Sequence, residues 1–223
     1  MYYEPGVIGH GLPHDPFKSC VVPRPIGWIS TVSPDGIHNL APFSQFQNVS
    51  FDPPIVMFSA NQTPDGRRKD SVANAEATGE FVWNMATYAL REAVNATAEQ
   101  VPPEVDEFER AGLTKAPSRK VRPARVAESP IHFECVLLNT LRFPGRPPMG
   151  SADVVFGRVV AVHIADDAID ARGLVDVLKL QPLARMGYYD YTWVQGKFEM
   201  VIPGNDRRLL AGLEGSADKA QAR

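Results

Sequence analysis

The sequence is poor in the features that mark most familiar functions. It has two cysteines in 223 residues, Cys20 and Cys135, too few for a disulfide framework, and no Cys-x-x-Cys pair that would signal a redox or metal centre. Excess positive charge is missing: 23 Lys and Arg stand against 26 Asp and Glu, for a net charge of -3. That removes a general attraction to nucleic acid or to an anionic membrane, so any anionic ligand must be held by a local site. No apolar run approaches the roughly 20 residues that span a bilayer, and the first residues lack the charged-then-apolar build of a signal peptide. The expectation is a cytoplasmic protein with free thiols. There is no Gly-x-Gly-x-x-Gly fingerprint, no Gly-rich phosphate loop ending in Lys-Ser/Thr, no Gly-x-Ser-x-Gly elbow and no repeat at a solenoid period. His10 and His14 sit four apart in a Pro/Gly-rich arm with no helix to aim them at one metal. Asp166, Asp167 and Asp170 lack the glycine and the closing glutamate of a calcium loop.

What is present is a globular composition, 44% hydrophobic and 22% charged, at a length that suits one substantial domain. The chain is organised around residues 24 to 60. Ile26, Trp28, Ile29, Thr31 and Val32 suit a pleated surface; Ser33-Pro34-Asp35-Gly36 supplies a preset φ and a glycine free to turn; a second strand breaks into the polar, aromatic stretch 41 to 50, which reads as a ligand edge; a third strand runs to Ala60. Residues 1 to 23 read as an irregular arm, residues 24 to 203 as the domain, and the chain from Gly204 as a peripheral tail.

Beyond the third strand, Lys69-Asp70-Ser71 opens a short helix whose first turn Asp70 or Ser71 can cap. A strand over 80 to 85 follows, then a helix over 88 to 100 with Leu90, Val94 and Ala98 on one side, and a shorter helix over 104 to 111 ended by Gly112. Arg119, Lys120, Arg122 and Arg125 read as a solvated loop paired locally with Glu104, Asp106, Glu107 and Glu109. Two long strands, 131 to 143 and 154 to 164, flank a Pro/Gly turn; a helix over 174 to 180 and a strand over 193 to 201 close the order. Runs of strands broken by peripheral helices predict a mainly β, antiparallel barrel, since a parallel sheet would need strict alternation.

The succession Arg24-Pro25-Ile26-Gly27-Trp28-Ile29-Ser30-Thr31-Val32, the Asp-Gly turn, Asn39-Leu40-Ala41-Pro42-Phe43-Ser44, Asp52-Pro53-Pro54-Ile55, Lys69-Asp70-Ser71 with Asn74, and Gly79-Glu80-Phe81-Val82-Trp83-Asn84 resembles the flavin reductase-like, FMN-binding split-barrel proteins over roughly residues 20 to 200. The resemblance implies a split β-barrel that binds FMN non-covalently. It implies that Lys69, Asp70 and Ser71 meet the phosphate, where a helix start also offers free N–H groups, and that Ser44, Gln45 and Phe46 lie along the pyrimidine edge of the ring. Arg24, Trp28, Ser30 and Thr31, with Phe58, Ser59 and Ala60, would border ribityl and phosphate. Arg185 and a following tyrosine, among Tyr188, Tyr189 and Tyr191, would lie close to the flavin. The implied activity is hydride transfer from NADH or NADPH to FMN in a homodimer, with a monooxygenase or other acceptor of reduced flavin as partner and no nucleic acid or membrane. An FMN-carrying electron-transfer protein and an FMN-dependent oxygenase or oxidase stay open beside it.

Overall fold

At the Ser33-Pro34-Asp35-Gly36 turn the Gly36 N–H donates to the Ser33 carbonyl at 3.0 Å with Gly36 at φ +90°, so the turn closes as its residue types require. It joins β2 (Gly27–Val32) to β3 (His38–Phe43); the two-residue β1 (Arg24–Pro25) precedes them. This computed structural model describes residues 1–200 and Pro203. Next come β4 (Phe46–Phe51), β5 (Pro54–Asn61), α1 (Asp70–Thr78) and β6 (Glu80–Asn84). The segment that follows carries α2 (Arg91–Ala96), α3 (Glu107–Arg110), β7 (Lys115–Ala116) and β8 (Arg125–Val126). The chain returns through β9 (Ile131–Phe143), β10 (Ala152–Ile164), α4 (Val177–Leu180), β11 (Leu183–Gly187) and β12 (Asp190–Trp193).

Seven strands form one antiparallel sheet in the order β3-β2-β6-β9-β10-β5-β4. Its two edge strands, β3 and β4, are consecutive in the chain and joined by Ser44 and Gln45 alone. A sheet whose outermost strands are tied by two residues must curl until they meet, which gives a barrel split along one seam. The Ser59 N–H donates to the Gln45 carbonyl at 2.8 Å and holds the seam to β5.

Inside the barrel, Phe58 and Phe81 meet edge to face at 5.4 Å, Phe46 stacks on Trp83 at 5.4 Å, and Phe43 lies 5.1 Å from Phe58. Gly27 is obligatory here, because a Cβ on it would meet the Phe46 ring at 2.8 Å. A second core covers the outer face of β2 and β3: Trp28 and Leu40 pack with Val94, Phe108, Ala124 and Val126 from the 91–126 segment. β2 is therefore buried on both faces.

Several expected boundaries shift. The helix over 88 to 100 is a short turn over Tyr88–Leu90 followed by α2 alone, and those over 104 to 111 and 174 to 180 shrink to four residues each, too short to persist without tertiary contacts. The stretch 41 to 50 is more regular than its composition suggests, since most of it lies in β3 and β4. The last strand starts at Asp190 and ends at Trp193; Val201 and the tail from Gly204 lie outside the described residues. The basic run does not pair with the acids just upstream. Arg122 pairs with Glu80 at 3.1 Å, Arg125 donates to the Pro117 carbonyl, and the N–H groups of Arg119 and Lys120 bind the buried carboxylate of Glu134. Cys20 is exposed and Cys135 buried, both free.

Candidate functional site

The seam opens into a cavity of about 920 Å³, at the upper end of the range for small-molecule sites. β3 lines one side with Asn39, Ala41 and Phe43; Ser44 and Gln45 line the seam; β5 contributes Ser59, Ala60 and Asn61. Alternation along β3 puts Asn39 on the same side as Ala41 and Phe43. The N–H groups of Ser44 and Gln45 fall between the two ladders, so they are outside the sheet's own pairing.

The far end is built by α1. Its N-cap is Lys69, in extended conformation and without a side-chain cap, which corrects the expectation that Asp70 or Ser71 caps it. The leading N–H groups and the positive end of the helix dipole are left available to a ligand. The Asn39 Nδ2 donates to the Ser71 Oγ at 2.9 Å; that satisfies an acceptor of the hydroxyl and leaves its hydrogen free to donate onward. Lys69 and Asp70 both line the cavity. Burial pushes the Lys69 ammonium below its usual range, against an upward pull from Asp70, and burial pushes the Asp70 carboxyl up.

The chain just before α1 is anchored by Arg68. It binds both carboxylate oxygens of Glu76, at 2.5 and 2.7 Å, and reaches Asp153 at 3.1 Å. Asp153 is buried in β10 and also takes Arg142 at 2.8 Å. Burial alone would raise the Asp153 carboxyl, but the two guanidinium groups outweigh it and hold it low. This buried, doubly paired carboxylate ties the start of α1, next to Lys69, to the barrel wall.

Of the residues expected at the ligand, Ser44, Gln45, Ser59, Ala60, Lys69, Asp70 and Ser71 line this cavity. Phe46 and Phe58 do not; they belong to the barrel core behind it. Trp28 is fully buried on the outer side and donates to the Thr97 hydroxyl at 2.9 Å, Ser30 donates to the Ala124 carbonyl at 2.6 Å, and Thr31 accepts from Asn74. These three hold the 91–126 segment and α1 to the barrel and are not part of the cavity lining. Arg24 binds the carbonyls of Lys18 and Val21 in the arm. Arg185 stacks 4.5 Å over the Tyr191 ring, with its guanidinium also on the Tyr191 hydroxyl, while Tyr189 points into solvent. The pair is therefore Arg185 with Tyr191, outside the cavity lining.

The cavity also has walls that the sequence did not announce. Thr97 to Pro103 and Glu107, Pro148 and Met149 of the β9–β10 turn, and Lys18 of the arm complete the lining. Asn39 carries a legible signal, a polar residue on the apolar side of a strand. Glu107 carries none, because its burial depends on where the 91–126 segment docks.

Comparison with known proteins agrees with the fold. Residues 19–197 match the family described as flavin reductase like domain. An uncharacterized protein of Aquifex aeolicus is 39% identical over 182 residues, 82% of this chain and 90% of that one. The crystal structure of nitrilotriacetate monooxygenase component B from Bacillus cereus superposes with a TM-score of 0.81 at 30% identity, covering 90% of this chain and 98% of that one. Flavoredoxin of Desulfovibrio vulgaris, 18% identical, shares the fold with a TM-score of 0.71 over 90% of this chain and 97% of that one.

Proposed function

Because the chain belongs to the flavin reductase-like family, we propose that it binds FMN non-covalently in the seam cavity and accepts a hydride there from NADH or NADPH. The observation that carries this reading is the spacing of unlike donors in one cavity: a cation, a hydroxyl and a helix start at one end, and two backbone N–H groups outside the ladders at the other. A flavin phosphate needs the first set and a flavin ring edge needs the second. Bound FMN supplies a hydride acceptor; the chain supplies placement. Lys69, Ser71 and the α1 start hold the phosphate. The Ser44–Gln45 backbone donates to the ring edge, where negative charge develops on reduction. Neither role needs an acid or base from the protein.

Similarity to a monooxygenase component supports an onward acceptor, an enzyme that consumes reduced flavin. Absorption spectra of the purified protein, taken without oxygen before and after NADH and then NADPH, test the activity. Oxidised flavin bands that bleach on nucleotide are the expected result. Bands that resist both nucleotides would overturn the reductase reading in favour of an electron carrier or an oxygenase.

The same proposal includes a homodimer. β4 and β9 leave Val49, Phe51, Leu138, Leu141 and Phe143 exposed, apolar area that a second copy would remove from water. Sedimentation at micromolar concentration is expected to give twice the 24.5 kDa chain mass; a single-chain mass would overturn it.

A further inference from the structure

Glu107 lies at the same end of the cavity as Lys69 and Ser71. It is 6% exposed, and its Oε2 accepts the Leu40 N–H at 3.0 Å. Leu40 follows Asn39, whose side chain donates to Ser71, so the glutamate, the asparagine and the serine form one continuous patch. Among the described residues no cation pairs with Glu107. Lys115, beside Asp106, is spent on Asp106 and Glu109.

A phosphate held by Lys69 and Ser71 arrives beside this carboxyl, and two like charges so close in a low-dielectric wall disfavour each other. Glu107 cannot swing away without stripping the Leu40 N–H of its partner. Its second oxygen is the remaining place for the conflict to be settled. We propose that Glu107 meets the ligand as a carboxylic acid, donating a hydrogen bond to the phosphate, so that binding of a phosphorylated flavin takes one proton from solvent. This rests on FMN being the ligand.

The surroundings agree. Burial pushes the Glu107 carboxyl up to about 7, against the pull of the Leu40 N–H, with Asp70 and Asp106 adding to the rise. The titratable and charged groups around it are Asp70 on α1 with Lys69 just before it, Asp106 on its own segment, Lys115 on β7 and His38 on β3, with Asp65, Arg67 and Glu99 on the walls of the same cavity. His38 is pushed below its usual range by burial. The group therefore gives up its proton near neutrality in the free protein and keeps it beside a phosphate.

The test is FMN affinity by fluorescence titration from pH 6.5 to 8.5, for the native chain and for Glu107→Gln, which keeps an acceptor for Leu40 and carries a permanent donor. The native dissociation constant is expected to rise about twentyfold across this range, as a two-unit upward shift on binding requires. Glu107→Gln is expected to stay flat, and riboflavin, which has no phosphate, to show no such slope with either chain. A slope that persists in Glu107→Gln assigns the proton to Lys69, Asp70 or the phosphate itself, whose second pKa lies near 6, and overturns the proposal; so does a flat native profile. Calorimetry of the native protein at pH 8 in buffers of different ionisation enthalpy decides the case independently of any variant, with uptake of close to one proton expected and no uptake overturning it. Failure to bind FMN at any pH would instead remove the reading of the ligand.

Discussion

Replacing Lys69 and Ser71 together by alanine is expected to weaken FMN binding about a hundredfold while riboflavin binding stays as it was. The magnitude follows from the bonds lost. Hydrogen bonds to a charged group contribute roughly 1.5–3 kcal/mol each, and the helix start survives the double change, so a net loss of about 3 kcal/mol is reasonable, close to two factors of ten. Riboflavin isolates the phosphate, since it carries the same ring and ribityl chain. Removing the Ser71 hydroxyl also strips Asn39 of an acceptor, so thermal melting of the variant is needed beside the titration. FMN affinity unchanged in a variant that melts normally would place the phosphate elsewhere. Arg68 is not part of the cavity lining, yet it sits between Arg67 and Lys69, which are, and its bonds to Glu76 and Asp153 anchor that stretch.

The barrel and one end of the site were legible because their signals are local. A turn of Ser-Pro-Asp-Gly between β-branched runs, and a lysine and a serine at the start of a helix, mean nearly the same thing wherever the rest of the chain goes. Trp28 and Ser30 were placed wrongly relative to the cavity for a different reason. Alternation shows that they share a face, but β2 is buried on both faces, and which face meets the ligand is decided by the docking of a segment sixty to a hundred residues away. Glu107 failed in the same manner: within an acidic run it reads as solvated, and it becomes buried only because α3 lies against β3, where Leu40 supplies its N–H. Arg122 found Glu80 instead of its upstream neighbours for this reason too. Contacts that depend on a long-range docking event leave no trace in spacing.

That docking event has its own fastener, and removing it is expected to cost more than any other single change. Glu134 on β9 has no exposed surface; it accepts the Arg119 N–H at 2.9 Å and the Lys120 N–H at 2.6 Å, and His163 on β10 contacts it at 2.5 Å. Glu134→Ala would leave these partly buried donors without their acceptor, and breaking a buried charged cluster from one side costs up to about 3–5 kcal/mol, a large part of the roughly 5–15 kcal/mol that holds a domain folded. Urea denaturation is expected to show that loss as a lower midpoint; an unfolding free energy within about 1 kcal/mol of the native value would mean that water replaces the carboxylate without penalty. The pH dependence has a definite sign. Burial alone would raise the Glu134 carboxyl, but its hydrogen bonds, from the Arg119 and Lys120 N–H groups and from His163, hold it below its ordinary 4.5. The stability it contributes is therefore full above about pH 4.5 and is lost as the pH falls through the folded value. His132 acts in the same direction. Its Nε2 lies 2.7 Å from the Val126 carbonyl, which can only accept, so the proton is on Nε2 and the buried Nδ1 is bare. Burial pushes its pKa from 6.5 to about 4, so folding loses stability as the pH drops from 6.5 toward 4, where the imidazole must take a second proton. Native protein is thus expected to weaken steadily below pH 6.5 and steeply below 4.5, and Glu134→Ala to keep the first limb and show a shallower second, because Asp153 and Glu76 still lose their pairing there. Because Glu134 and His132 both grip the 117–126 stretch, acid should free the outer wall from the barrel before it disturbs the aromatic core within.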